Sequence, residues 1–274
     1  MIRPDVKSHE VKAPQNSLLS GETPYARLKN LMTRLRNECP WDSQQSFETI
    51  APYTIEEAYE VDDAIQRKDM GELREELGDL LFQVVFHSKL AEEENAFDLD
   101  DVTNGLVEKM VRRHPHIFAE DSLPDAEDIN WEKMKAAERS AKGQTSRLEG
   151  VALSLPALMR AQKLQKRAAK TGFDWPSAAP VWDKIDEEIA EVKEAIDSRD
   201  KDEIENEIGD LLFTVVNLSR KLGVDSEIAL RKANAKFTSR FQNIEHQIET
   251  SANQKPIEAY SLDELEALWI KAKS

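Results

Sequence analysis

The chain has 274 residues, a formal net charge of −16 and a pI near 4.9, a balance that excludes a sequence-independent electrostatic grip on nucleic acid. Its one cysteine, Cys39, rules out an intrachain disulfide and points to a reducing, cytoplasmic setting. No secretory pattern is present in the first 24 residues, and the longest apolar run, around 80–86, is far too short to span a bilayer, so neither nucleic acid nor membrane is expected as a partner.

Residues 1–23 read as a flexible polar tail, with Pro4, Pro14 and Gly21. From Pro24 the period becomes helical. Leu28, Leu31, Met32 and Leu35 form one stripe, ended by Cys39-Pro40-Trp41-Asp42. Two helices are expected over 53–68 and 71–94, with the break at Met70-Gly71, and a third over 98–113 stops before His114-Pro115-His116. The stretch 120–150 turns acidic and loop-like around Pro124, with a helical segment from Trp131 to Arg139. Ser154-Leu155-Pro156 then opens a helix through Lys170, with Ser154 as its cap. Gly172-Phe-Asp-Trp175-Pro176 follows, then helices near 178–198, 201–222 and 226–248, and a last one over 261–272. Strand signals are weak throughout. The expectation is an all-α chain of two related units, 24–119 and 151–274, joined by a linker over 120–150.

The relation between the units is visible in a repeat. Glu57, Glu60, Glu76 and Asp79 recur as Glu188, Glu191, Glu207 and Asp210, each displaced by 131 positions. At that offset residues 54–85 and 185–216 agree at about half their positions. Advancing about 100° per residue around a helix, each acid pair falls within the apolar stripe, beside Val61 and Ala64 or Val192 and Ala195. Carboxylates turned toward a core are costly unless paired or bound to a metal. The basic residues nearby miss the acid arc; Lys184, at about −40° from Glu188, is the exception.

Three or four hard oxygen ligands suit Mg²⁺, with Mn²⁺ as a substitute, and not zinc. Such ions complete their shells with phosphates, polarise a phosphoryl group and activate water. Gly78 and Gly209, beside the acids, either let a backbone or ligand approach or serve helix packing. Lys109 and Arg113, and Lys236 and Arg240, are i,i+4 pairs on the helix after each acid hairpin and are candidate phosphate contacts. Trp41, Trp175 and Trp269 are candidates for stacking on a base. His87 reads as a satisfied core residue and His114-Pro115-His116 as a helix stop. Glu-x-x-His motifs of a di-iron bundle, a Walker loop, a calcium loop and a serine elbow are all absent.

The motifs Cys39-Pro-Trp-Asp42, Glu56-Glu-Ala-Tyr-Glu60, Glu76-Leu-Gly-Asp-Leu-Leu-Phe82 and Arg112-Arg-His-Pro-His116 resemble MazG-type nucleoside triphosphate pyrophosphohydrolases. So do Gly172-Phe-Asp-Trp175, Glu187-Glu-Ile-Ala-Glu191, Glu207-Ile-Gly-Asp-Leu-Leu-Phe213, and Lys236-Phe with Arg240-Phe241. The resemblance covers about 24–272 in the tandem, two-copy arrangement of the all-α NTP pyrophosphatase superfamily. It implies Mg²⁺-dependent cleavage of nucleoside triphosphates to monophosphate and pyrophosphate, by four-helix-bundle-type sites completed in a homodimer, in the service of nucleotide-pool house-cleaning. It makes the eight acids metal ligands, Lys184, Lys236 and Arg240 phosphate contacts, and Trp269 a neighbour of the nucleotide. Glu187 and Glu188 are both candidates for the general base, and Glu191 for an essential acid of the second site. In such tandem members the second copy is credited with catalysis; here Tyr53 stands where the second copy has Lys184. The competing class is a helical regulatory protein that binds nucleotides or a partner without turning them over.

Overall fold

A computed structural model of the chain describes residues 23–118, 146–251 and 255–273, and every regular element among them is helical. The expected tail over 1–22 and the helical stretch from Trp131 to Arg139 lie outside the described residues. The chain divides into two compact units, with the division between residues 134 and 135.

In the first unit, α1 (Pro24–Glu38) is capped by the Thr23 hydroxyl, which accepts from the Ala26 N–H, with proline in the first turn. Helix α2 spans Phe47–Arg67, α3 Met70–Glu93 and α4 Leu99–Arg113, and one further turn, α5, covers Pro115–Phe118. Helix α2 begins six residues before the expected start at 53 and carries Pro52 inside it. Pro52, sixth in the helix, has no N–H to give the Glu48 carbonyl, yet the helix runs on through it, and the Ser46 N–H donating to Thr49 Oγ1 (2.8 Å) holds the start.

The α2–α3 hairpin turns on two residues, not on Met70-Gly71, which are already helical. Lys68 takes the left-handed conformation (φ 58°) and Asp69 caps α3, accepting from the N–H groups of Gly71 and Glu72 at 3.0 Å. The second unit repeats this: Arg199 has φ 58°, and Asp200 accepts from Asp202 and Glu203 at 3.0 and 3.4 Å. Both tight turns sit at the 131-residue offset, so the acids of each hairpin are delivered by one local geometry used twice.

The core of the first unit is Met32, Ile50, Val85, Phe86, Leu90 and Leu99, with Leu28, Phe47 and Phe82 packed against it. Leu31, expected on the same stripe, is 45% exposed. Arg36, largely covered, joins three segments: it pairs with Glu93 at 2.6 Å and donates to the carbonyls of Asp42 and Gln45. The Cys39-Pro-Trp-Asp42 turn is thereby tied to α1 and α3.

The second unit contains α6 (Ala157–Ala169), α7 (Ala179–Ser198), α8 (Lys201–Lys221), α9 (Ser226–Glu249) and α10 (Leu262–Lys271). Pro156, not Ser154, is the residue flanking the start of α6. Its buried glutamines latch onto neighbouring carbonyls: Gln165 Nε2 donates to Phe213 O (2.7 Å) and Gln162 Nε2 to Val224 O (3.1 Å). Val181, Ile185 and Leu218 form the tight core between α7 and α8. After α6, Gly172 at φ +89° reverses the chain in a conformation that L side chains rarely adopt. Asp174 then clamps the end of α8, at 2.5 Å from Arg220 and 2.6 Å from Lys221. Those cations, Arg220 foremost, hold its carboxyl down at about 2.

Candidate metal centre

Antiparallel pairing within each hairpin brings Glu-x-x-Glu from one arm against Glu-x-x-Asp from the other. In the first unit Glu57, Glu76 and Asp79 can each turn one carboxylate oxygen to within 4.8 Å of the others. In the second, Glu188, Glu207 and Asp210 do the same. The fourth acid of each set stays outside these triplets but within electrostatic reach. Glu60 shares a hydrogen bond with Glu57, and Glu191 lies 4.0 Å from the Lys184 ammonium.

The structure corrects the expectation that all eight acids turn into the apolar stripe. Glu188 is buried, Glu57, Glu76, Glu191 and Glu207 are half-buried, and Glu60, Asp79 and Asp210 are exposed. The helical wheel reports which side faces the partner helix of the hairpin. Two helices cover only the middle of that side, so acids at its margin stay at an open edge. Leu77, Leu81 and Val84 of α3 are also exposed, and at the 131-residue offset so are Ile208, Leu212 and Val215 of α8.

The two clusters differ in charge compensation. No ion pair to a basic residue is found on the acids of the first triplet among the described residues. Burial, then the hydrogen bond and charge of Glu60, then Asp79 and Glu76, push the Glu57 carboxyl up to about 7. Glu76 is raised for the same reasons, burial first and Glu60 next. In the second cluster Lys184 Nζ lies 2.7 Å from Glu188 Oε1 and 2.9 Å from Glu187 Oε1. These contacts raise the lysine above its ordinary value, Glu188 contributing most. Burial raises Glu191, and Lys184 opposes that rise.

The cationic and aromatic candidates gather separately. The Arg240 guanidinium stands 5.6 Å from the Trp269 ring centroid, and Phe237 packs on the same ring at 5.3 Å. This patch joins α9 to α10 and has no hydrogen bond to the acids among the described residues. Lys236 is exposed on α9; Lys109 and Arg113 are half-buried on α4. Trp41 is 51% exposed and meets Tyr53 edge-on at 6.2 Å. Trp175 instead lines an apolar cavity of about 590 Å³ with Leu164, Phe173 and Phe213. His87, half-buried, shares a 2.9 Å hydrogen bond with Thr54 and stacks on Phe47, and burial lowers its pKa. A Cβ added to Gly78 or Gly209 would meet no atom of another described residue within 4 Å, so neither glycine is required for packing among the described residues.

Gln83 escaped the sequence reading. It lies one turn beyond Asp79 on α3 and is 7% exposed, with Oε1 lacking a hydrogen-bond partner. Its spacing of four from Asp79 and seven from Glu76 was the available signal. As a donor set, both triplets are purely carboxylate oxygen, which fits a hard divalent cation. In the second, an ammonium already sits among the acids where positive charge is favoured.

The MazG nucleotide pyrophosphohydrolase domain matches this sequence twice, at residues 45–118 and 181–244. A nucleoside triphosphate pyrophosphohydrolase of Escherichia coli (strain K12) is 49% identical over 256 residues, spanning 90% of this chain and 96% of that protein. The Thermotoga maritima protein named nucleoside triphosphate pyrophosphohydrolase/pyrophosphatase MazG is 44% identical, over 91% and 95% of the two chains. A crystal structure of a mazG-related protein from Thermotoga maritima aligns at 31% identity, over 40% of this chain and 98% of that one, with a TM-score of 0.36. Two copies of the domain, each supplying one acid hairpin, and relatives matched along almost their whole length make this chain a member of the MazG family.

Proposed function

We propose that the chain is a metal-dependent nucleoside triphosphate pyrophosphohydrolase, converting an NTP or dNTP and water to the monophosphate and pyrophosphate. The observation that carries it is the duplicated carboxylate triplet, set in a family whose relatives bear that name. Mg²⁺, or Mn²⁺ in its place, would supply Lewis-acid polarisation of the phosphoryl group and neutralise the triphosphate. Glu188, Glu191, Glu207 and Asp210 would hold it in the second copy, and Glu57, Glu60, Glu76 and Asp79 in the first.

The remaining work falls to this chain's own groups. Lys184, Lys236 and Arg240 bind phosphate oxygens, and Lys109 and Arg113 serve the first copy in the same way. Trp269, already in contact with Arg240 and tilted against Phe237, offers a ring face near the nucleotide. Glu187 or Glu188 orients water for attack on the α-phosphorus, and the α–β bridging bond breaks toward pyrophosphate. The repeated stripes Leu77–Leu81–Val84 and Ile208–Leu212–Val215 support pairing of hairpins into four-helix sites in a homodimer.

The test incubates the protein with each NTP, with and without Mg²⁺, and identifies the released phosphate species. Mg²⁺-dependent pyrophosphate with NMP is the expected product pair, lost in Glu191→Gln. Orthophosphate with NDP would refute the cleavage position. Binding without any release would favour the regulatory, non-catalytic reading.

A further inference from the structure

The second cluster contains a cation of its own. Lys184 stands one turn before Glu188 on α7, and its Nζ bridges Glu188 and Glu187 at 2.7 and 2.9 Å, with Glu191 at 4.0 Å. Glu188 is only 3% exposed, and a carboxylate so covered needs a counter-charge. The same Glu188 is a member of the oxygen triplet that fits a divalent ion. A divalent ion and an ammonium on one carboxylate repel each other, and the low dielectric around a buried acid strengthens that repulsion.

The first copy supplies the internal contrast. Its position equivalent to Lys184 is Tyr53, which has no charge to offer Glu57. Otherwise the triplet there is built from the same three acid types on a hairpin of the same design.

We propose that Lys184 is a resident counter-ion of the second cluster, seated on Glu188 and Glu187 until a divalent ion and a triphosphate together displace it. This inference rests on the metal reading of the acids given above. The lysine's flexible four-carbon stem and rotatable ammonium let Nζ leave the carboxylates for a phosphate oxygen without moving the backbone. The site therefore resists metal alone and accepts metal with nucleotide. The first cluster, with no such competitor among the described residues, loads divalent ion without nucleotide.

Mn²⁺ titration followed by electron paramagnetic resonance, with no nucleotide present, tests this on the full chain. The first cluster is silenced by Glu57→Gln with Asp79→Asn so that only the second reports. In that background Lys184→Met should bind Mn²⁺ about tenfold more tightly, because removing the ammonium abolishes contacts each worth a factor of a few. Lys184→Arg, which keeps a cation on the same acids, should bind as weakly as the parent and controls for misfolding of the methionine variant. Unchanged or weaker Mn²⁺ binding in a folded Lys184→Met protein overturns the inference. Glu188→Gln separates the two readings. If it abolishes Mn²⁺ binding while Lys184→Met changes nothing, only the role of Lys184 is wrong. If it has no effect, the metal reading and this inference fall together.

Discussion

Replacing Glu57 by glutamine removes one charge from a cluster that has no basic partner among the described residues, and the consequence runs opposite to the usual cost of mutating a half-buried residue. Burial and the neighbouring Glu60, Asp79 and Glu76 raise its carboxyl from 4.5 up to about 7. An acid whose folded value lies above its unfolded one holds its proton longer in the native state. Wild-type stability therefore falls as pH rises from about 4.5 through 7. The full shift corresponds to at most ~3.4 kcal/mol against the fold once the group is ionised. The repulsion is shared among four acids and screened at a half-exposed site, so the expected gain from Glu57→Gln at pH 8 is ~1–2 kcal/mol. Urea denaturation in EDTA measures it. The gain should be small near pH 4.5, grow through pH 7, and shrink when Mg²⁺ is added, because the ion stabilises only the protein that binds it. A variant no more stable than wild type at pH 8 without metal would refute the account of the cluster as uncompensated repulsion.

Two further outcomes follow from the second unit. Asp174→Asn takes the anionic partner from Arg220 and Lys221 and should cost ~1–2 kcal/mol near neutral pH. Because the aspartate is held down at about 2, wild type's advantage is complete above pH ~4 and disappears as pH falls toward 2, readable as converging melting temperatures. Gly209→Ala places a methyl group that would meet no atom of a described residue beyond its own helix within 4 Å. It should stabilise α8 by ~0.5–1 kcal/mol in urea denaturation without metal. A rise in stability with a loss of pyrophosphate release would show that a ligand or a second copy uses that space.

Much of this fold was legible because its helices are long, strongly periodic and used twice. Helices α7, α8 and α9 begin and end within one residue of the sequence expectation. The errors sit where local signals compete. The expected start at 53 lies inside α2, which begins at Phe47 and runs on through Pro52. Met70-Gly71 was read as the break, while Lys68 and Asp69 make the turn through a left-handed residue and a side-chain cap that composition does not advertise.

The eight acids and their repeat were determined by the sequence alone, since a fixed offset and a helical period need no coordinates. Those two quantities also placed Lys184 on the arc of Glu188. Only the tertiary structure decided which acids meet in triplets, that Glu188 alone is buried, and that the ammonium lies on it at 2.7 Å. A helical wheel gives direction around one axis. Burial and pairing depend on how closely the second helix approaches, and that distance is set by the packing of Val181, Ile185 and Leu218 across the hairpin.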